Sequence, residues 1–386
     1  MEKGGGRVKA PRTLDQAYIK KRNLERLMST LERCQPVSRT ELAHRTQMSS
    51  ASITRFISAL SELGLVKEVS VTDGSGRGRR AVNLRTEPDG MFALGCHIDP
   101  RSLRLCLLDF DHKCRAVNEI MLSPRDYDPE RLAERIREQA EQLMPVEPER
   151  LGSCGISVSG RLDAEPGIVA ASTAFGWSNA DLATPVSRAL GLPVQVENDV
   201  RAGLTWEAIR LGLLDGEKDA VYLYLGRAGI GFASMVGGSL VRGLNNAAGE
   251  IEDVYLNVDE CLHEHLMEIS LVERARRFSP TVSSVSDILK AHRMGLTWAR
   301  LLMDDCVNHL RILLQLVQAI FDPHCIILGG DLTDTLRGAP GLLPDGDYTF
   351  GERFEDACAQ GAAAIAMQGA LHQRIERVMN AQPDAE

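Results

Sequence analysis

Between Ser49 and Gly64 the apolar residues Ile53, Phe56, Ile57 and Leu60 recur at i, i+3, i+4 and i+7, the spacing of one buried helical stripe. The opposite face carries Ala51, Arg55, Ser58 and Glu62, small or polar residues around one arginine. Ser49 is suited to cap this helix and Gly64 to take the left-handed position beyond its end. Just upstream, Ser38-Arg39-Thr40-Glu41 reads as a capping box that opens a short helix running to about Arg45. Thr46-Gln47-Met48 leaves room for a tight turn. A longer helix is predicted from Gln16 to Arg33, with Leu24, Leu27, Met28 and Leu31 as its inward stripe.

After Gly64 the pattern shortens to that of strands. Leu65–Thr72 and Ala81–Leu84 read as two strands around the Gly/Arg tip Asp73–Arg80. Helix, helix, tight turn, helix and a stranded tip, in that order, predict a winged helix-turn-helix domain. The character changes at Glu87-Pro88-Asp89-Gly90. Beyond it strands are predicted at Phe92–Ile98, Leu103–Asp109, Gly152–Val158, Val194–Val196, Ala220–Leu225 and Cys325–Leu328, with helices at about Pro129–Leu143 and Trp298–Ile320. That alternation predicts an α/β body in two lobes. The expected organisation is a flexible basic arm over 1–18, the winged helix-turn-helix over 19–89, a first α/β lobe over 90–199, and a second lobe with the dimerisation region over 200–386.

Charge sharpens this picture. The chain carries −9 overall, yet residues 1–90 hold 17 Lys and Arg against 10 Asp and Glu, so a +7 head precedes a −16 body. A basic head suits phosphates that the acidic body would repel. In the third helix and the tip, Ser50, Ser52, Thr54, Arg55, Arg77, Arg79 and Arg80 are the candidates for base and phosphate contacts, since hydroxyls bind either and arginine favours guanine. The partner expected is a palindromic operator in double-stranded DNA, met by a homodimer or tetramer. The nine scattered cysteines form no Cys-x-x-Cys pair and are expected as reduced thiols. With no apolar leader and no membrane-length run, a cytoplasmic protein without membrane insertion is expected.

The order Gly155-Ile156-Ser157-Val158-Ser159-Gly160, Phe175-Gly176-Trp177, Glu197-Asn198-Asp199, Gly229-Ile230-Gly231, Gly238-Ser239-Leu240-Val241-Arg242-Gly243, Ala248-Gly249-Glu250-Ile251 and Ile327-Leu328-Gly329-Gly330 resembles the ROK family of repressors and sugar kinases. The resemblance extends from about Arg22 onward. It implies an actin-like, sugar-kinase-like body behind a DNA-binding head, hence a transcriptional regulator of carbohydrate genes. It also implies a sugar or sugar phosphate held by Asn198, Asp199, Glu250 and Glu268, Asp199 being the base in the family's kinases. Some members answer to a phosphotransferase-system protein, which stands as an alternative effector.

This sequence departs from the kinases where they hold ATP. Their Asp-x-Gly-Gly-Thr turn is replaced by His97, Ile98, Asp99, Pro100 and Arg101, and their second phosphate loop carries Arg227-Ala228 instead of Gly-Thr. Proline has no N–H and aspartate repels phosphate, so no enzyme activity is expected. The family's zinc-binding cysteine cluster is reduced to Cys261, with Leu266 and Asp253 at positions of lost ligands, so no metal or other cofactor is expected. Asp253, Cys261, His263 and His265 are the one substitute set that the segment offers. Two other readings stay open: an ATP-dependent sugar kinase, and a ligand-blind DNA-binding dimer with a degenerate body.

Overall fold

The structure is a computed structural model that describes residues 16–70, 82–143, 147–163, 167–214, 218–252, 254–255, 261–339 and 341–381. The chain divides into two compact units, Met1–Glu87 with His372–Glu386, and Pro88–Leu371.

The first unit opens with three helices, α1 (Gln16–Cys34), α2 (Arg39–Thr46) and α3 (Ser50–Glu62), followed by the antiparallel strands β1 (Val66–Ser70) and β2 (Val82–Thr86). The Ser38 hydroxyl accepts from the Glu41 amide at 3.2 Å and the Ser49 hydroxyl from the Ser52 amide at 3.1 Å, so both predicted caps form. Gln47 turns the chain between α2 and α3 in the left-handed region, φ 55°. Leu27, Leu31, Leu42, Ile53, Ile57, Leu60 and Leu65 are fully buried. The expected arm overlaps α1 at residues 16–18; the rest of it and residues 71–81, with Arg77, Arg79 and Arg80, lie outside the described residues.

In the second unit β3 (Phe92–Asp99), β4 (Ser102–Asp109) and β5 (Cys114–Met121) run as an antiparallel meander. After α4 (Pro129–Leu143), β6 (Leu151–Val158) joins β3 in parallel. A small antiparallel sheet of β7 (Arg161–Leu162), β8 (Ile168–Ser172) and β9 (Trp177–Asp181) follows, then α5 (Ala183–Leu190) and β10 (Val194–Asn198), which pairs parallel to β6. The five-stranded order is β10-β6-β3-β4-β5. Alternate β3 residues Leu94, Cys96 and Ile98 share a core with Leu132, Ile136 and Val186 from α4 and α5.

The chain continues through α6 (Asp199–Arg210), β11 (Ala220–Leu225), β12 (Ile230–Val236), β13 (Ser239–Leu240), α7 (Leu262–Leu266), α8 (Glu268–Arg276), α9 (Val285–Arg293) and α10 (Thr297–Phe321). It closes with β14 (Cys325–Gly329), α11 (Asp331–Arg337), β15 (Thr349–Phe350) and α12 (Phe354–Ala381). The second sheet is ordered β13-β12-β11-β14-β15, with β11 and β14 parallel. One large core joins it to the helices between α7 and α11, and a smaller one joins its other face to α6 and to Phe354 and Cys358 of α12.

The expected second lobe, 200–386, does not follow this division. The early part of α12 lies on the first sheet: a Cβ on Gly95 would collide with the Ala359 carbonyl, and one on Gly155 with the Ala362 backbone. From His372 onward the chain groups with the N-terminal helices, where buried Ile375 and Met379 line one small cavity with Leu24 and Phe56. An all-round small-residue run, Ala357 to Ala366, permits the close approach to the sheet, and no periodicity in it announces which surface it meets.

Gly155→Ala is therefore expected to destabilise by about 1–3 kcal/mol or more, since the obstacle is backbone and cannot rotate away. Gly203→Ala is the contrasting case. Its added methyl meets Phe354 at 3.5 Å, ordinary contact, and sits inside α6. Removing a helical glycine is expected to leave stability unchanged or raise it by up to about 1 kcal/mol. Urea unfolding of the two variants checks both signs.

Candidate functional sites

On α3 the buried stripe Ile53, Phe56, Ile57 and Leu60 leaves Ser50, Ala51, Thr54, Arg55 and Ser58 exposed. The Thr54 hydroxyl donates to the Ser50 carbonyl at 2.9 Å. Ser52 stands differently from the other candidates. It is half-buried on the flank next to Ala59, and its hydroxyl lies 2.9 Å from that of the cap residue Ser49. An Arg55 guanidinium N–H reaches the Met379 carbonyl at 3.5 Å, so the end of α12 lies beside this arginine.

The second candidate site is built at the junction of β10 and α6. A strand ending on Glu197-Asn198 and a helix beginning at Asp199 place three consecutive polar side chains at a turn, where each can face a different way. The Asn198 side-chain oxygen caps α6, accepting from the Arg201 amide at 3.2 Å, and its NH₂ donates to the Gly160 carbonyl at 3.3 Å. One N–H and one lone pair of that amide remain for a ligand. Asp199 is 7% exposed and accepts from the Val200 amide at 2.8 Å. Burial first, and then the charge of Glu250, push its carboxyl up to about 6, against the opposing Val200 amide and Arg201. The Ala-Gly-Glu turn that carries Glu250 is thus within electrostatic reach of Asp199, and it depends on Gly249, whose φ of +98° and contact with the Phe232 carbonyl exclude a side chain.

Glu197 was not among the residues singled out in the sequence, yet it organises this turn. It is 4% exposed and accepts from the Asn198 amide at 2.8 Å, from Arg201 Nε at 2.7 Å and from Arg242. Arg201, 2% exposed, also donates to the Asn246 carbonyl at 3.2 Å, and the Asn246 side chain donates to the Asp163 carbonyl at 2.6 Å. One carboxylate therefore ties β10, α6 and the loop of residues 241–246 together. Glu197 lies in β10, ahead of the helix that carries Arg201, so no helical spacing in the sequence signals this pair.

Glu268 has a different set of neighbours from Asn198, Asp199 and Glu250. It begins α8, accepts from the Thr335 hydroxyl at 3.4 Å, and its carboxyl is raised by burial and by the charge of Asp331.

In the two turns that correspond to the family's phosphate loops, the amides of Arg101, Gly226 and Arg227 are engaged within the protein. At the β3–β4 turn the Asp99 carboxylate accepts from the Arg101 amide at 2.9 Å, Pro100 has no N–H, and the Pro100 carbonyl accepts from the Tyr127 hydroxyl at 2.7 Å. In the second loop the Gly226 amide donates to the Gly229 carbonyl at 2.9 Å and the Arg227 amide to the Asp331 carboxylate at 3.2 Å. The Asp331 carboxylate thus accepts from one amide of this loop, and Asp334 adds a second charge to the first turn of α11.

Among the described residues, Cys261, His263 and His265 do not form one ligand cluster. Cys261 Sγ and His263 Nδ1 both lie 3.1 Å from the Glu252 carbonyl, and His265 turns away from them to Asp305 of α10. Asp253 lies outside the described residues. With Leu266 in place of a thiolate, these residues do not fit the closed four-ligand zinc site of the family.

Two mixed five-stranded sheets with helices packed on them, and a polar strand-to-helix turn between β10 and α6, define an actin-like, kinase-like body. The chain belongs to the ROK family, whose profile is matched by residues 94–338. The DNA-binding transcriptional repressor Mlc of Escherichia coli is 25% identical over 345 residues, 84% of each chain. The xylose repressor of Bacillus subtilis is 24% identical over 239 residues, 61% of each. In fold the chain is similar to the crystal structure of a ROK family transcriptional regulator described as a homologue of the E. coli Mlc protein. That likeness has a TM-score of 0.74 at 22% identity and covers 94% of this chain and 98% of the other. Among the described residues no helix is long and apolar enough to cross a membrane.

Proposed function

We propose that the protein is a sequence-specific DNA-binding transcriptional regulator that represses carbohydrate transport or metabolism genes. Its N-terminal unit acts as a winged helix-turn-helix, and its kinase-like body binds a sugar or sugar phosphate without phosphorylating it. The observation that carries the DNA-binding reading is α3, sealed on one side by Ile53, Phe56, Ile57 and Leu60 and presenting Ser50, Thr54 and Arg55 on the other, behind a two-helix turn. The names of the similar repressors support it. The homodimer would set two such helices in successive major grooves of an imperfect palindrome.

The kinase alternative has one observation in its favour, the buried Asp199 with its carboxyl near neutrality, which suits a general base. It is opposed by the committed amides of Arg101 and Arg227 and by the carboxylates of Asp99 and Asp331. In this reading Asp199 recognises a hydroxyl and stops there.

Selection of genomic fragments by the purified chain, followed by anisotropy titration of the recovered site, tests the DNA-binding reading. Arg55→Ala is expected to weaken binding to that site by about 1–3 kcal/mol, the worth of one bidentate base contact, while weakly bound random DNA is little affected. Wild-type affinity is expected to fall steeply with salt. Recovery of no preferred site overturns the reading. For the body, thermal melting against hexoses, amino sugars and their phosphates should find a ligand whose shift disappears in Glu250→Ala.

A further inference from the structure

His265 of α7 is 5% exposed, and its Nε2 is buried without a hydrogen-bond partner. Its other ring nitrogen, Nδ1, lies 2.7 Å from Asp305 Oδ2. One helical turn along α10, His309 Nδ1 lies 2.8 Å from the Asp305 carbonyl and 3.3 Å from its carboxylate. Asp305 therefore stands behind both imidazoles. The rings stack with centroids 3.7 Å apart and planes 25° from parallel. Each of the three residues has a ligand atom within 4.8 Å of those of the other two.

An Nδ1–H that donates to an oxygen fixes the tautomer in which Nε2 keeps a lone pair. In metal sites the same arrangement, carboxylate to histidine to metal, orients the ring and raises its basicity. Here it is present twice around a single aspartate, with one of the two lone pairs buried and unused. Arg274 of α8 donates to Asp305 Oδ2 at 2.6 Å and approaches His265 Nδ1 at 3.2 Å. Burial works to raise the Asp305 carboxyl, and the bonds from His265 and Arg274 outweigh it and hold it below its ordinary value.

We propose that His265 and His309 bind a divalent transition-metal ion of the zinc class through their Nε2 atoms, with Asp305 positioning both rings. Imidazole donors select zinc, nickel or copper over magnesium or calcium. The set makes no use of Cys261, His263 or Asp253, so it is independent of the family's cysteine cluster. Bound metal would clamp α7 to α10 and fix the short helix that leads into Glu268. The 25° between the ring planes must open for the two lone pairs to converge, so binding includes a rotation of His309, the more exposed ring at 15%.

The test is calorimetric titration of the untagged, chelator-treated full chain with Zn²⁺, repeated with Co²⁺ to read its visible absorption, with melting temperature measured in parallel. One ion per chain is expected, with nitrogen-ligand Co²⁺ bands and a rise in melting temperature. His309→Gln is expected to abolish saturable binding while keeping the metal-free melting temperature. Asp305→Asn is expected to weaken binding by about 10–100-fold, the effect of losing an orienting partner. Cys261→Ser and His263→Ala should bind as the wild type does. Absence of saturable binding, wild-type affinity in a folded His309→Gln, or loss of binding in Cys261→Ser would each overturn the proposal.

Discussion

Replacing Glu197 by alanine is expected to cost about 3–5 kcal/mol of stability, the loss seen when one partner of a buried ion pair is removed. The cost arises from what remains. Arg201, 2% exposed, would keep its Asn246 carbonyl contact but lose the carboxylate that compensates its charge. Buried to that degree, it is poorly reached by water. Arg242 would suffer less, being 44% exposed at its side chain and free to take up solvent. Its departure would still untie the loop of residues 241–246 from β10. Glu197→Gln keeps an oxygen for Arg201 Nε or for the Asn198 amide and should lose less than alanine. Urea unfolding orders the three proteins, and a Glu197→Ala loss below about 1 kcal/mol, the range of an exposed pair, would contradict the assignment.

The contrast between Glu197 and its neighbours shows what could be read from the chain and what could not. Local rules recovered the caps at Ser38 and Ser49, the stripe on α3 and the tight turn between helices, because each depends on residues within one or two turns. Ser52 is the local exception. It lies about 100° from Ile53, on the flank that Ala59 buries, so its place was decided by the width of the packed face and not by its own polarity. Pro100 could be read directly as one amide fewer in the β3–β4 turn, since a proline's lack of an N–H is a property of the residue.

What stayed hidden is non-local. The Arg227 amide meets an aspartate 104 positions away, and no periodicity links Gly226-Arg227 to Gly330-Asp331. Arg242 reaches Glu197 across 45 residues, and His265 reaches Asp305 across 40. The return of α12 to the first sheet is written as alanines on one side and Gly95 and Gly155 on the other, a complementarity of absent side chains that leaves no hydrophobic pattern. Family resemblance supplied the grouping of Asn198, Asp199 and Glu250. It also supplied Glu268, whose neighbours include Thr335, Asp331 and Arg227.

Asp199→Asn is expected to make the ligand-free protein more stable at neutral pH, by about 3 kcal/mol. The figure follows from a carboxyl raised from 3.8 to about 6 at about 1.36 kcal/mol per unit. The direction follows from proton binding. Between those two values the folded chain holds this proton and the unfolded chain has released it, so folding grows less favourable as pH rises through the window. Above about 6 the full penalty applies; below the ordinary aspartate value it is gone. Asparagine keeps an oxygen for the Val200 amide and carries no charge, so it escapes the penalty at every pH. The difference between wild type and variant should therefore be small near pH 4 and full by about pH 7, and taking the difference cancels every other titrating group. A sugar hydroxyl donating to the ionised carboxylate would reverse the balance, because it stabilises the charged form that burial disfavours. Wild type should gain melting temperature with its ligand, whereas Asp199→Asn should start higher and gain little. Equal stability of the two proteins at pH 7 would mean that Asp199 is better solvated than its burial implies, and the assignment of this turn as a built recognition site would fall with it.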